Sequence, residues 1–186
     1  MKNLVIFASG GGSNAEKIME YFHKKSNYTI AGVFTNNPKA GVIVKAKKYK
    51  LPVFTFSKED LNESKVASIL RTLEPDLIIL AGFLWKFPSD IIKEYPNKVI
   101  NIHPALLPKY GGKGMYGLNV HKAVLENKET ESGITIHYVN DNYDEGDIIF
   151  QTSVQLNDCL TAEEVAAKVL ALEHEHFSKI IEKITQ

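Results

Sequence analysis

The chain has no excess of either charge: 22 Lys plus Arg are balanced by 22 Asp plus Glu. Nucleic acid is held by many uncompensated cations, so this balance argues against it as the main partner and leaves open only a local pocket for a single phosphate. Cysteine is almost missing. Cys159 stands alone, which excludes an intramolecular disulfide and any need for an oxidising compartment. With no His or Cys partner near it in sequence, it reads as a small structural residue rather than a nucleophile. The apolar run that opens the chain, Leu4 to Ala8, is too short for a signal-peptide core or a membrane span. The expected location is the cytoplasm, with no membrane association. Repeats, low-complexity tracts and linkers are also missing. The 186 residues are therefore expected to form one domain over 1–186, long enough to bury a real core.

What is present is an alternation. Apolar runs at Leu4–Ala8, Thr29–Thr35, Pro52–Phe56, Asp76–Ala81 and Lys98–Ile102 are continuous, as suits parallel strands covered on both faces. Between them Ala15, Ile18, Met19 and Phe22 repeat at helical spacing, as do Val66, Ile69, Leu70 and Leu73. After His103 two strand-like segments, Gly133–Val139 and Asp147–Leu156, follow one another with no helix between. The fold class is α/β: a doubly wound, mainly parallel sheet with an antiparallel edge addition. The chain closes on a long helix opened by a capping box, Thr161 to Glu164.

Five segments carry candidate chemistry. Ser9-Gly10-Gly11-Gly12-Ser13-Asn14 lies between a strand and a helix, where glycines let backbone N–H groups approach an anion at the helix N-terminus; the plainer alternative is that Ser13 caps the helix. Gly10, Gly12 and Ala15 also satisfy a dinucleotide fingerprint. That reading needs an acid at the end of the second strand, and the sequence offers Asn36 and Asn37, which speaks against NAD. Asn101 and His103 lie two apart at a strand's carboxyl end, so both point to one side, where ligands of open α/β sheets bind. An amide and an imidazole placed so can donate to an oxygen gaining negative charge. The acidic loop Asn140–Asp147 lacks calcium-loop spacing. It is either a solvated turn or the source of a carboxylate that raises the pKa of His103, and the residues alone do not choose among Asp141, Asp144 and Asp147. Gly82–Pro88 is apolar for a loop and either walls a flat heterocycle or packs the core edge. Glu173 and His176 interrupt the apolar face of the last helix, formed by Val165, Val169, Leu172, Ile180 and Ile184. A carboxylate there needs a partner, either a salt bridge or a substrate group.

The stretch VINIHPALLPKYGGKG, with Asn101-Ile102-His103-Pro104 and Leu106-Leu107-Pro108, together with Tyr143-Asp144-x-Gly146, resembles the signature of the folate-dependent formyltransferases, and the resemblance runs over essentially the whole chain. It implies a Rossmann-like fold and transfer of formyl from 10-formyltetrahydrofolate to the amine of glycinamide ribonucleotide, in purine synthesis. His103 is then the general acid, Asn101 an oxyanion donor, and Asp144 the carboxylate that keeps His103 cationic. Gly12, Ser13 and Asn14 hold the substrate phosphate, and Glu173 contacts the substrate. Lys58, Leu84, Trp85, Lys86, Phe87, Asn101, Asn140, Asp141 and Asp144 line the folate site. No metal is implied, and monomer or homodimer is left open. Members acting on tRNA are expected to carry a further carboxyl-terminal domain and a basic surface. The loop 111–117 is longer and richer in glycine than in some members. It is expected to act as a mobile lid, with His121 just beyond it at the entrance.

Overall fold

The computed structural model describes residues 1–186. Seven strands, β1 (Lys2–Phe7), β2 (Tyr28–Thr35), β3 (Val53–Thr55), β4 (Leu77–Leu80), β5 (Val99–His103), β6 (Glu131–Tyr138) and β7 (Ile148–Gln155), form one sheet in the order β3-β2-β1-β4-β5-β6-β7. The first five are parallel, and β6 and β7 are antiparallel additions. Seven helices accompany them: α1 (Ser13–Phe22), α2 (Gly41–Lys48), α3 (Lys58–Asn62), α4 (Lys65–Leu73), α5 (Ser89–Glu94), α6 (Leu118–Glu126) and α7 (Ala162–Thr185). None is long and apolar enough to cross a membrane.

The interior strand β1 shows why the apolar runs are continuous. Leu4 and Ile6 of β1 face a core shared with α1, α2, α6 and α7, while Val5 and Phe7 face a second core shared with α4 and α5. A strand buried on both faces has no polar positions to alternate with. Phe7 is the hub of the second core. Its ring stacks on Phe34 at 4.7 Å and meets Phe56, Phe83 and Phe87 edge-on. Edge β7 has one open face and alternates burial accordingly.

Two local points take a definite form in the structure. The face α7 buries runs through Val165, Val169, Glu173, Phe177 and Ile181. Phe177 joins the expected residues, and Leu172, Ile180 and Ile184 pack half-buried at the flanks of that line. A step of four carries that line along the 24-residue helix. Ser13 does not cap α1. The cap position is Gly12, left-handed at φ 70 with no side-chain bond. A Cβ at Gly12 would lie 2.6 Å from the Cβ of Val42 at the start of α2, so the glycine is there for close approach as well as for its backbone angle. The Thr161–Glu164 capping box opens α7 as expected.

Candidate active site

The parallel strands end together, and beyond that edge the chain passes from β5 through α6 into β6. β5 presents Asn101 and His103 two residues apart, both lining a cavity of about 550 Å³, within the range of small-molecule sites. β6 runs antiparallel to β5 and sets His137 directly opposite Asn101. Thr135, opposite His103, braces the turn after β5: its hydroxyl donates to the Ala105 carbonyl at 2.7 Å and accepts from the Leu107 amide at 3.0 Å. Gln151 of β7 reaches the same hydroxyl at 2.8 Å.

Asp144 enters from the loop between β6 and β7 in a left-handed conformation, φ 56. One carboxylate oxygen accepts from the Gly112 amide at 2.9 Å. The other stands 3.6 Å from His103 Nδ1 and 3.6 Å from His137 Nε2. The second ring nitrogen of His103, Nε2, is 2.7 Å from the Tyr110 carbonyl. A carbonyl only accepts, so Nε2 carries the proton.

Burial is the main influence on His103, which is 3% exposed. It holds the imidazole below its ordinary value. The Asp144 carboxylate and the Tyr110 carbonyl pull the other way, and His137 adds to the lowering. In the free chain desolvation outweighs the carboxylate at 3.6 Å and shifts the imidazole toward its neutral form, while Asp144 pulls toward the cation. Burial alone would raise Asp144. The neighbouring His137, the charge of His103 and the Gly112 amide outweigh that, and the carboxyl sits below its usual range.

At the other end of the cavity Asn14 donates its amide to Glu173 of α7 at 2.7 Å. The Asn14 side-chain oxygen is buried and has no partner. Gly10 and Gly11 border open space, so their backbone is accessible next to that amide. Of this loop only Asn14 lines the cavity; Gly10, Gly11, Gly12 and Ser13 lie just beyond it. Ser9 ties this loop to the apolar one: its amide donates to the Gly82 carbonyl and its hydroxyl accepts from the Leu84 amide, both at 3.0 Å.

The apolar loop divides between its two readings. Phe83 and Phe87 pack on Phe7, and Trp85 lies edge-on to Phe56 and Phe83. Leu84 is half exposed, and Leu84, Trp85, Lys86 and Phe87 all line the cavity. Across from them are Val139, Asn140, Asn142 and Tyr143.

Three expected positions lie elsewhere. Lys58 is the first residue of α3, whose only buried residue is Leu61. Its side chain stays in solvent, away from the cavity. Asp141 is exposed and also outside the lining. Asn140 Oδ1 accepts from the Asn142 amide at 2.9 Å, a tight turn that throws residue 141 outward. His121 is not at the mouth: it is 6% exposed in the cavity wall, and burial, then the charge of His103, hold it below its ordinary value. His176 of the last helix instead packs against Phe150, ring centroids 5.0 Å apart.

His137 was not legible as a site residue. It sits in an ordinary strand pattern, and only the β5–β6 register brings it to Asn101.

Fold and cavity together define a Rossmann-like α/β protein with donors and a carboxylate converging at the carboxyl edge of its sheet. Residues 2–181 match the formyl transferase family, and the chain belongs to it. It is 40% identical to the chloroplastic phosphoribosylglycinamide formyltransferase of Arabidopsis thaliana, over 100% of this chain and 66% of that protein. It is 32% identical to the Bacillus subtilis phosphoribosylglycinamide formyltransferase, over 99% of this chain and 95% of that one. The chain thus spans a little under two thirds of the plant relatives and nearly all of the Bacillus protein. Among solved structures, phosphoribosylglycinamide formyltransferase from Anaplasma phagocytophilum superposes with a TM-score of 0.90 at 33% identity, covering 100% of this chain and 87% of that one. That from Brucella melitensis gives 0.88 at 33% identity, covering 99% and 95%.

Proposed function

We propose that this chain is a folate-dependent formyltransferase that passes the formyl group of 10-formyltetrahydrofolate to the amine of glycinamide ribonucleotide, in purine biosynthesis in the cytoplasm, with residues 1–186 as its catalytic domain. The observation that carries the reading is the convergence of Asn101, His103 and Asp144 on one wall of a cavity. That cavity reaches Asn14, at the end of a glycine loop suited to a phosphate, and an apolar stretch suited to a flat ring.

In this reading the phosphate sits against the backbone at Gly10–Ser13, at the amino end of α1, where unpaired N–H groups favour an anion. Asn14 and Glu173 take the polar groups next to it. Leu84, Trp85, Lys86 and Phe87 enclose the folate ring with the backbone of Asn140 to Asp144. The substrate amine then attacks the formyl carbon. Its oxygen becomes negative; Asn101 donates to it, and His103 does so once Nδ1 has taken up the amine's proton. Donors fixed in advance at such an oxygen matter by about 100- to 1000-fold in rate.

The proton balance closes without an outside acid. The attacking amine sheds one proton as the new C–N bond forms, and the departing folate nitrogen gains one as the old C–N bond breaks. His103 is the group placed to carry it: its bare Nδ1 takes up the amine's proton and passes it to the departing nitrogen, while the Nε2 proton stays on the Tyr110 carbonyl. Asp144, ionised beside Nδ1, stabilises the imidazolium formed in passing.

The test is turnover. Purified protein mixed with glycinamide ribonucleotide and 10-formyltetrahydrofolate should consume the formyl donor only when the amine is present. Absence of amine-dependent consumption would overturn the assignment.

A further inference from the structure

His137 does more than fill the wall. It is 2% exposed, and both its ring nitrogens have partners. Nδ1 is 2.8 Å from its neighbouring carbonyl, Tyr138 O. A carbonyl only accepts, so Nδ1 carries the hydrogen. In the neutral ring Nε2 is then a lone pair, and it lies 3.2 Å from the Asn101 side-chain nitrogen. An acceptor at that point dictates which end of the Asn101 amide faces β6. The nitrogen must, since the oxygen would meet another lone pair. An amide free to turn over presents donor and acceptor interchangeably, and an oxyanion can use only the donor.

From this geometry we infer that His137 is a positioning residue for formyl transfer. Its Nε2 accepts from Asn101 and locks the amide in the one orientation that keeps its second N–H for the substrate oxygen. The inference rests on the reading of Asn101 as oxyanion donor. The competing arrangement has His137 donating from Nε2 to Asp144. The distance to that carboxylate, 3.6 Å, is outside hydrogen-bond range, whereas 3.2 Å to Asn101 is at its edge.

Two measurements decide it. The first needs no substrate. Nitrogen-15 NMR of the labelled imidazoles should show His137 protonated on Nδ1 with a bare Nε2. A proton on Nε2 overturns the inference, whatever reaction the enzyme performs. The second is kinetic. His137→Phe keeps a flat ring and removes the acceptor; kcat should fall by about 100-fold, comparable to losing the donor itself, with KM for both substrates within roughly twofold. His137→Gln, whose Oε1 reaches the place of Nε2, should recover most of that loss. In an Asn101→Ala background His137→Phe should lower kcat by less than about twofold, since residues acting through one group are not additive. An equal loss in both backgrounds, a loss confined to KM, or no rescue by Gln sinks the inference. Failure of the unmodified protein to turn over glycinamide ribonucleotide would instead indict the proposed function, leaving the tautomer to be judged by NMR.

Discussion

Asn14 and Glu173 stand 159 positions apart and are joined by a 2.7 Å hydrogen bond. The glycine-loop helix α1 packs on α7, and the bond closes that contact at the cavity wall. Burial holds the Glu173 carboxyl above its ordinary value, with the Asn14 bond pulling it back. A raised folded value means the group contributes stability below its unfolded value, and the contribution is lost as pH rises through the folded one.

Glu173→Gln keeps the shape and an oxygen for Asn14 but never ionises. Its melting temperature should exceed the parent's at pH 8 and match it at pH 4. The same variant should raise KM for the phosphorylated amine by roughly tenfold, the size of one lost charged contact. A melting shift equal at both pH values would show that charge burial at Glu173 is not the cause.

Asp144 raises the pKa of His103 against the larger effect of burial. Removing its charge leaves burial unopposed. In Asp144→Asn the pH at which turnover falls off on the acid side, where His103 takes up a second proton before the amine can deliver one, should move down. Turnover at pH 7 should drop by about 100-fold or more. A pH profile of kcat checks both, and a limb that moves upward contradicts the electrostatic account.

Asn101→Ala removes a donor aimed at the reacting oxygen. kcat should fall by about 100- to 1000-fold while KM for both substrates changes little, because the contact strengthens only as charge develops. Steady-state kinetics separate the two parameters, and a variant changed mainly in KM would make Asn101 a binding group instead.

Gly146 bears directly on how Asp144 is held. A Cβ there would run into the Tyr138 carbonyl, backbone that cannot swing away. Gly146→Ala should destabilise the protein by about 2–3 kcal/mol in urea unfolding. Folded protein that remains should show reduced turnover, because the loop carrying Asp144 must shift. A variant with unchanged stability and turnover would show that the loop yields freely.

The sequence by itself settled whatever depends on local pattern. Continuous apolar runs and helical spacing set the α/β alternation, because a parallel strand covered on both faces has no polar positions to interrupt it. The capping box at Thr161 and Glu164 is a contact within one turn, so four letters suffice to see it. Asn101 and His103 share a side because residues two apart on a strand always do. The absence of an acid after β2 and of clustered cysteines removed whole classes of chemistry before any fold was known.

Tertiary structure decided what depends on register and burial. The β5–β6 pairing placed His137 opposite Asn101, and nothing in either segment specifies that match. Among the acids of one crowded loop, the turn at Asn140–Asn142 sent Asp141 outward, while the left-handed backbone at Asp144 carried its carboxylate inward to His103 and His137. The charge state of His103 was beyond the letters altogether. A carboxylate nearby argues for a cation, burial argues against one, and only packing decides which is larger.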